Sequence, residues 1–360
     1  MLTFRKLSFL FLLAILTTSG FSQSKLAVAP VPSDPFELVT GATHVPSTPQ
    51  ERTEILELLE HARQNGDLQA AGSAPFSIKV SFNAAGNVHL TGAGNMEETW
   101  FGPYSFRWSA SLGNFSMTRI AARGRLFDDR PVESIPMRVH MLRGAIFWPI
   151  NFDQAHALIR TATANWKGKD LTCILTSGGM SDPTATPGRR WVEREFCVET
   201  RTGLLQILSD APGIYTLYDY DDALKFHGRV LPRQVSIVEG SKTVLTARLE
   251  SITDAIGFAD SFVPSEDMKN TRPGPLLGGA IRFPHVIRVA PGAAIVQPVM
   301  VHAIVDHNGK VKEAEVLDDS GAALNQSALD LVKNGTYRVQ NPKEVNRQRE
   351  AFINVQFISE

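Results

Sequence analysis

The sequence predicts an α+β protein: an N-terminal curved antiparallel sheet wrapped on helices, followed by a small C-terminal three-stranded sheet with one helix. Three observations predict it. One helix-period segment gives way to a long series of period-2 segments separated by turn residues. A Pro-, Gly- and Ser-bearing stretch at 264–275 then breaks the pattern and marks a domain boundary. Beyond it, two alternating segments, a helix-period segment and a last alternating segment follow in compact order.

The 360 residues suffice for two domains, and the 43% hydrophobic content supports packed cores. A formal net charge of −1 without blocks of like charge excludes the basic face that nucleic-acid binding requires. At the N-terminus, Arg5 and Lys6 precede an apolar run from Leu7 to Leu16, then small and polar residues up to Ser22. This is the layout of a secretory signal peptide over 1–22, too short for a comfortable bilayer span. An exported, periplasmic or cell-envelope protein is expected, with 23–48 as an extended arm.

Thr48, Pro49 and Glu51 supply a cap, a first-turn proline and a capping box for a helix carrying Ile55, Leu56, Leu58, Leu59 and Ala62, ended by Gly66. Phe76, Ile78, Val80 and Phe82 then alternate with polar residues. Further strands are expected at Tyr104–Ser111, Phe115–Ala121, Met137–Met141, Leu171–Thr176, Trp191–Glu199, Leu204–Leu208, Ile214–Tyr220, Val230–Val238 and Thr243–Ile252. A second helix is expected at Asp153–Asn165. A helix followed by many antiparallel strands points to a curved sheet around a helix or an open barrel, which could hold an apolar ligand or a packed core.

The segment from Cys197 to Ile252 reads as a strand, a Thr-Gly-Leu turn, paired strands, a Tyr-Asp-Asp turn, a Gly before Leu-Pro and a final hairpin. In that order it resembles the closing strands of the LolA/LolB lipoprotein carriers, a likeness spread over 49–255 within a domain placed at 49–263. The resemblance implies a half-barrel and, as an alternative function, carriage of lipid or an acyl chain on the concave sheet. Fold alone does not fix that function.

The tail, 276–360, is more specific. Val299 to Val305 alternates, Asn308-Gly309 makes a hairpin turn, Val311 to Val316 alternates again, a helix starts near Leu324, and Ala351 to Ile358 forms the last strand. VHAIV, DHNGKV, EVLDDSG, LNQSALDLV, TYRVQNP and FINVQFI follow the order of the TonB C-terminal domain, which this segment resembles. Gly309, Tyr337 and Arg338 fall on its motif, with Tyr337 where the family has Trp. The resemblance implies a binding module whose last strand, Phe352, Ile353, Asn354, Val355, Gln356, Phe357 and Ile358, is an edge. That edge would recruit a TonB-box-like peptide of an outer-membrane receptor by strand addition. Asn354 and Gln356 would face one side of the sheet, and Ile353, Val355 and Phe357 the other. Cover by the preceding segment or by a second copy is the alternative, because exposed edges are normally protected. A folded domain stands where a force transducer has a long linker, so binding or scaffolding is expected.

Cys173 and Cys197 form an even pair in strand-like runs. A disulfide is one reading, stabilising by about 3 kcal/mol through loop closure, and two buried thiols are the other. No catalytic constellation stands out. The nine histidines lack metal-ligand spacing, His302 and His307 fall on opposite faces of a strand and turn, and the acidic Asp219, Asp221 and Asp222 read as a solvated turn. The expectation is a non-enzymatic binding protein with neither metal nor cofactor.

Overall fold

The computed structural model describes residues 36–359 except 71, 87–89, 131–134, 152–156, 179–186, 191–192, 240–241, 258–261, 272–277, 290–298, 307, 318–321 and 338–348. The signal segment, the first part of the arm, His307 and Arg338 lie outside the described residues. The elements begin with α1 (Pro49–Gly66), β1 (Phe76–Ala84), β2 (Gly92–Gly102), β3 (Ser105–Leu112), β4 (Phe115–Ala122), β5 (Arg125–Asp128) and α2 (Met137–Phe147). Next come β6 (Ala157–Trp166), β7 (Lys169–Gly178), β8 (Arg194–Glu199), β9 (Leu205–Ala211), β10 (Ile214–Asp219), β11 (Leu224–Phe226), β12 (Arg229–Leu231), β13 (Gln234–Glu239) and β14 (Lys242–Asp254). The chain finishes with β15 (Lys269–Thr271), β16 (Gly278–Val289), β17 (Val299–Val305), β18 (Val311–Val316), α3 (Ala322–Asn334) and β19 (Arg349–Ser359). Among the described residues no helix is long and apolar enough to cross a membrane.

One antiparallel sheet of 13 strands runs β15-β5-β4-β3-β2-β1-β14-β13-β10-β9-β8-β7-β6. Its inner face packs on both helices. Phe76 and Ile78 of β1, Trp108 of β3, and Val235 and Leu245 across the centre bury against Leu59 of α1 and Leu142 and Phe147 of α2. Strand alternation puts the apolar half of each strand on this face, and apolar burial is the main term holding it. This is the half-barrel-like layer expected.

The outer face near β6–β10 is covered too. Val39 is buried among Leu171, Cys173, Cys197, Ile207 and Tyr215, with Phe36 and Leu38 packed against them. The arm is tied by backbone hydrogen bonds: Arg189 N–H to the Val39 carbonyl (3.1 Å), Gly188 N–H to Gly41 (2.7 Å), and reciprocal His44–Thr161 bonds of 2.8 Å along the free side of edge strand β6. Cys173 and Cys197 stand directly opposite in β7 and β8 and form a disulfide beneath this strap.

Three expectations change. Met137–Met141 begins α2 rather than a strand. Pro136 stands at its N-cap, and α2 is buried nearly all round, so no polar face reveals the helical period. The expected helix at Asp153–Asn165 is instead β6 from Ala157 onward. β-Branched Ile159, Thr161 and Thr163 suit a strand, and the apparent i, i+3, i+4 spacing there is coincidental. Part of the expected 264–275 linker, Lys269–Thr271, pairs with β5 as β15.

Candidate functional site

The C-terminal module is a sheet in the order β16-β19-β17-β18. β17, β18 and β19 with α3 make the expected three-stranded sheet and helix, and β16 adds a fourth strand. On one face Val299, Val301, Ala303 and Val305 of β17 meet Ala351, Ile353 and Val355 of β19 and Ala328 and Val332 of α3. Period 2 in the strands and 3.6 in the helix bring these side chains together.

The β17–β18 turn is stitched to the chain after α3. The Asp306 carboxylate accepts the backbone N–H groups of Asn308 (2.8 Å) and Lys310 (3.0 Å), and Lys312 Nζ lies 3.3 Å away. Burial pushes this carboxyl up, but those N–H groups and the ammonium outweigh it and hold it below the usual range. Gly309 has φ +79°, and a Cβ there would meet the Tyr337 carbonyl oxygen at 1.8 Å. Tyr337 donates its N–H to the Gly309 carbonyl (2.8 Å) and its hydroxyl to Val332 at the end of α3 (3.3 Å). The two described motif residues thus form one structural joint.

The opposite face of the sheet docks on the half-barrel. Phe352 and Leu317 bury against Ala211 and Ile214 at the β9–β10 turn, with Met141 of α2 and Met300 alongside. The fully buried His302 ring stacks on Phe352, its register partner, at 4.8 Å. Burial, then Arg119, Arg143 and His302, depress the pKa of His140 on α2 to about 3. Asn354 lies on this docked side, while Ile353 and Val355 lie against α3. The side chains of Gln356, Phe357 and Ile358 lie outside the described residues.

The expectation of an open edge is corrected. β19 pairs antiparallel with β17 on one side and parallel with β16 on the other, from Gly278 opposite Arg349 to Val289 opposite Ser359. Phe352 to Val355 is therefore paired on both sides, and Gln356 to Ile358 is paired with β16. The preceding segment covers this strand, satisfying backbone groups that an exposed edge would leave unpaired. The sequence signal for β16 was only a short apolar lead-in at Val286, Ile287 and Val289.

On the half-barrel, the face expected to carry lipid is filled by α1 and α2. A small pocket at its margin, lined by Ala62, Ala145, Pro149, Tyr218, Leu231 and Leu249 among others, has a volume of about 20 Å³, room for a water molecule and not for an acyl chain. Sequence reasoning missed a polar node inside this core. Arg143 Nη2 donates to Glu98 Oε2 (2.9 Å) and lies over Trp148, 4.7 Å from the ring centre, while Gln69 donates to the other Glu98 oxygen (2.5 Å). Burial raises the Glu98 pKa against the pull of Arg143. Outside that core Glu195 lies 3.0 Å from Cys197 Sγ and pairs with Arg189, but both sulfurs are in the disulfide and offer no thiolate ligand. Asp219 accepts the Asp221 N–H (2.9 Å) and closes a turn.

Residues 293–358 match the family described as Gram-negative bacterial TonB protein C-terminal. No curated protein matches the sequence. Among solved structures, a LolA superfamily protein from Nitrosomonas europaea is similar over 55% of this chain and 91% of its own, at 11% identity and TM-score 0.36. A domain described as an outer membrane lipoprotein-sorting protein, from Vibrio parahaemolyticus, covers 56% of this chain and 93% of its own, at 6% identity and TM-score 0.35.

Proposed function

We propose that this chain is a non-enzymatic binding protein of the Gram-negative cell envelope whose C-terminal module takes an extended partner peptide alongside β19. The observation that carries the reading is the family match at 293–358 on a segment that folds as three strands and a helix. Strand addition to such a sheet gains main-chain hydrogen bonds for affinity and alternate side chains for selectivity. The partner is a TonB-box-like peptide of an outer-membrane receptor. A lipid or acyl cargo would first have to move α1 and α2 off the sheet, whose inner face they fill.

A photo-reactive residue at position 358, introduced into the full chain in cells, tests this. The expected result is cross-linking to the periplasmic segment of an outer-membrane protein, and none from a control at the exposed Gln326 on α3. Cross-links within the chain are expected as well, because Arg288 of β16 stands opposite Ile358; finding these with none to an outer-membrane protein would count against the reading.

A further inference from the structure

β16 covers every position from Phe352 to Ile358 of β19. Three features set it apart from the other strands of its sheet. It precedes the family match, which begins at residue 293, so the matched segment has its three strands and helix without it. It is also a poor permanent strand. Gly278 and Gly279 bring no side chain to pack, and Pro284 at its middle has no N–H for the ladder. Finally, Pro284 stands opposite Asn354. Asn354 is 7% exposed, and its Oδ1 accepts no hydrogen bond among the described residues. A buried acceptor left unmet is costly, and a donor in the neighbouring cross-strand position, within reach on the same face, would remove that cost.

We propose that β16 is an exchangeable resident of the β19 binding side. The partner that replaces it is an extended peptide running parallel to β19, with a Ser, Thr, Asn or Gln rather than a proline opposite Asn354. The inference rests on the strand-addition reading. Exchange substitutes one parallel ladder for another, so most main-chain bonds cancel. What tips the balance is the donor that Asn354 lacks. Against this works tethering: a strand on the same chain acts at millimolar effective concentration, and the apparent affinity of a partner falls by the fraction of chains whose β19 is free. The closed form therefore screens out weak or Pro-interrupted peptides.

The test uses the full chain and two fluorescent synthetic peptides, one with the sequence of 278–289 and one carrying Pro284→Thr. In one variant Phe283→Pro and Ile287→Pro break the β16 ladder. In a second, Val286→Cys and Gln356→Cys, a register pair, lock it by a disulfide. The ladder-broken chain is expected to bind the native-sequence peptide at least tenfold tighter than the unaltered chain does. It should bind the Pro284→Thr peptide at least tenfold tighter again. The locked chain is expected to bind neither until reduced, which keeps the test informative if the ladder-broken chain fails to fold. Equal binding of the native-sequence peptide by the unaltered and ladder-broken chains would overturn the resident-strand proposal alone. No gain from Pro284→Thr would overturn the assigned role of Asn354. A folded ladder-broken chain that binds neither peptide would sink the strand-addition reading itself.

Discussion

Gly309 shows at the scale of one residue how the tail is held. Its φ of +79° suits glycine, and the Tyr337 carbonyl sits where a side chain would start. Gly309→Ala thus meets backbone on both counts and is expected to cost about 2–4 kcal/mol, read as a lower urea midpoint. A merely permissive turn would lose less than about 1 kcal/mol. Gly94 makes the same point from the opposite direction. It lies within β2, where a Cβ would meet the Phe82 ring at 2.3 Å. Buried Glu98, held by Arg143, hides the remaining alternation of that strand. Single residues of this kind, a glycine under a ring and a charge buried with its partner, are what pattern reading fails to see, because their reason lies in another element.

Among elements, those whose logic is local were legible. α1 begins where its cap predicts: Thr48 Oγ1 accepts the Glu51 N–H (3.1 Å), and the Glu51 carboxylate accepts the Ser47 N–H (2.7 Å). Thr48→Ala is expected to cost about 1 kcal/mol, measurable as a lowered thermal midpoint, and Thr48→Asp to leave it nearly unchanged. β17 spans the alternating segment from Val299 to Val305, because the Asn308-Gly309 turn pins its end. α2 was illegible for the reason opposite to α1. Arg138 and Arg143 are buried with Glu239 and Glu98, so the helix has no polar side to mark its period. β16 was illegible because a parallel pairing with β19, some 70 residues on, leaves no local trace (a parallel connection needs a long crossover).

For the whole molecule, the docking of the tail on the half-barrel ties stability to pH. Near His140 lie Arg119, Arg143 and His302, and burial with these groups holds its pKa at about 3. The unfolded chain would titrate near 6.5. Between those values the unfolded chain binds a proton that the folded chain does not, so stability falls as pH drops from about 6.5 toward 3. His140→Asn is expected to flatten that slope, seen as a smaller shift of the urea midpoint between pH 7 and pH 5. A slope unchanged by the substitution would show that other groups set the acid sensitivity.

The strap along the outer sheet imposes a chronology on folding. Thiol–disulfide exchange needs a thiolate to reach a sulfur, and both sulfurs are sealed once Val39 settles between the strands. The β7–β8 hairpin is therefore oxidised before residues 36–44 lie down or while they are lifted. The finished molecule then carries its crosslink behind a latch, and a reductant acts no faster than that latch lifts.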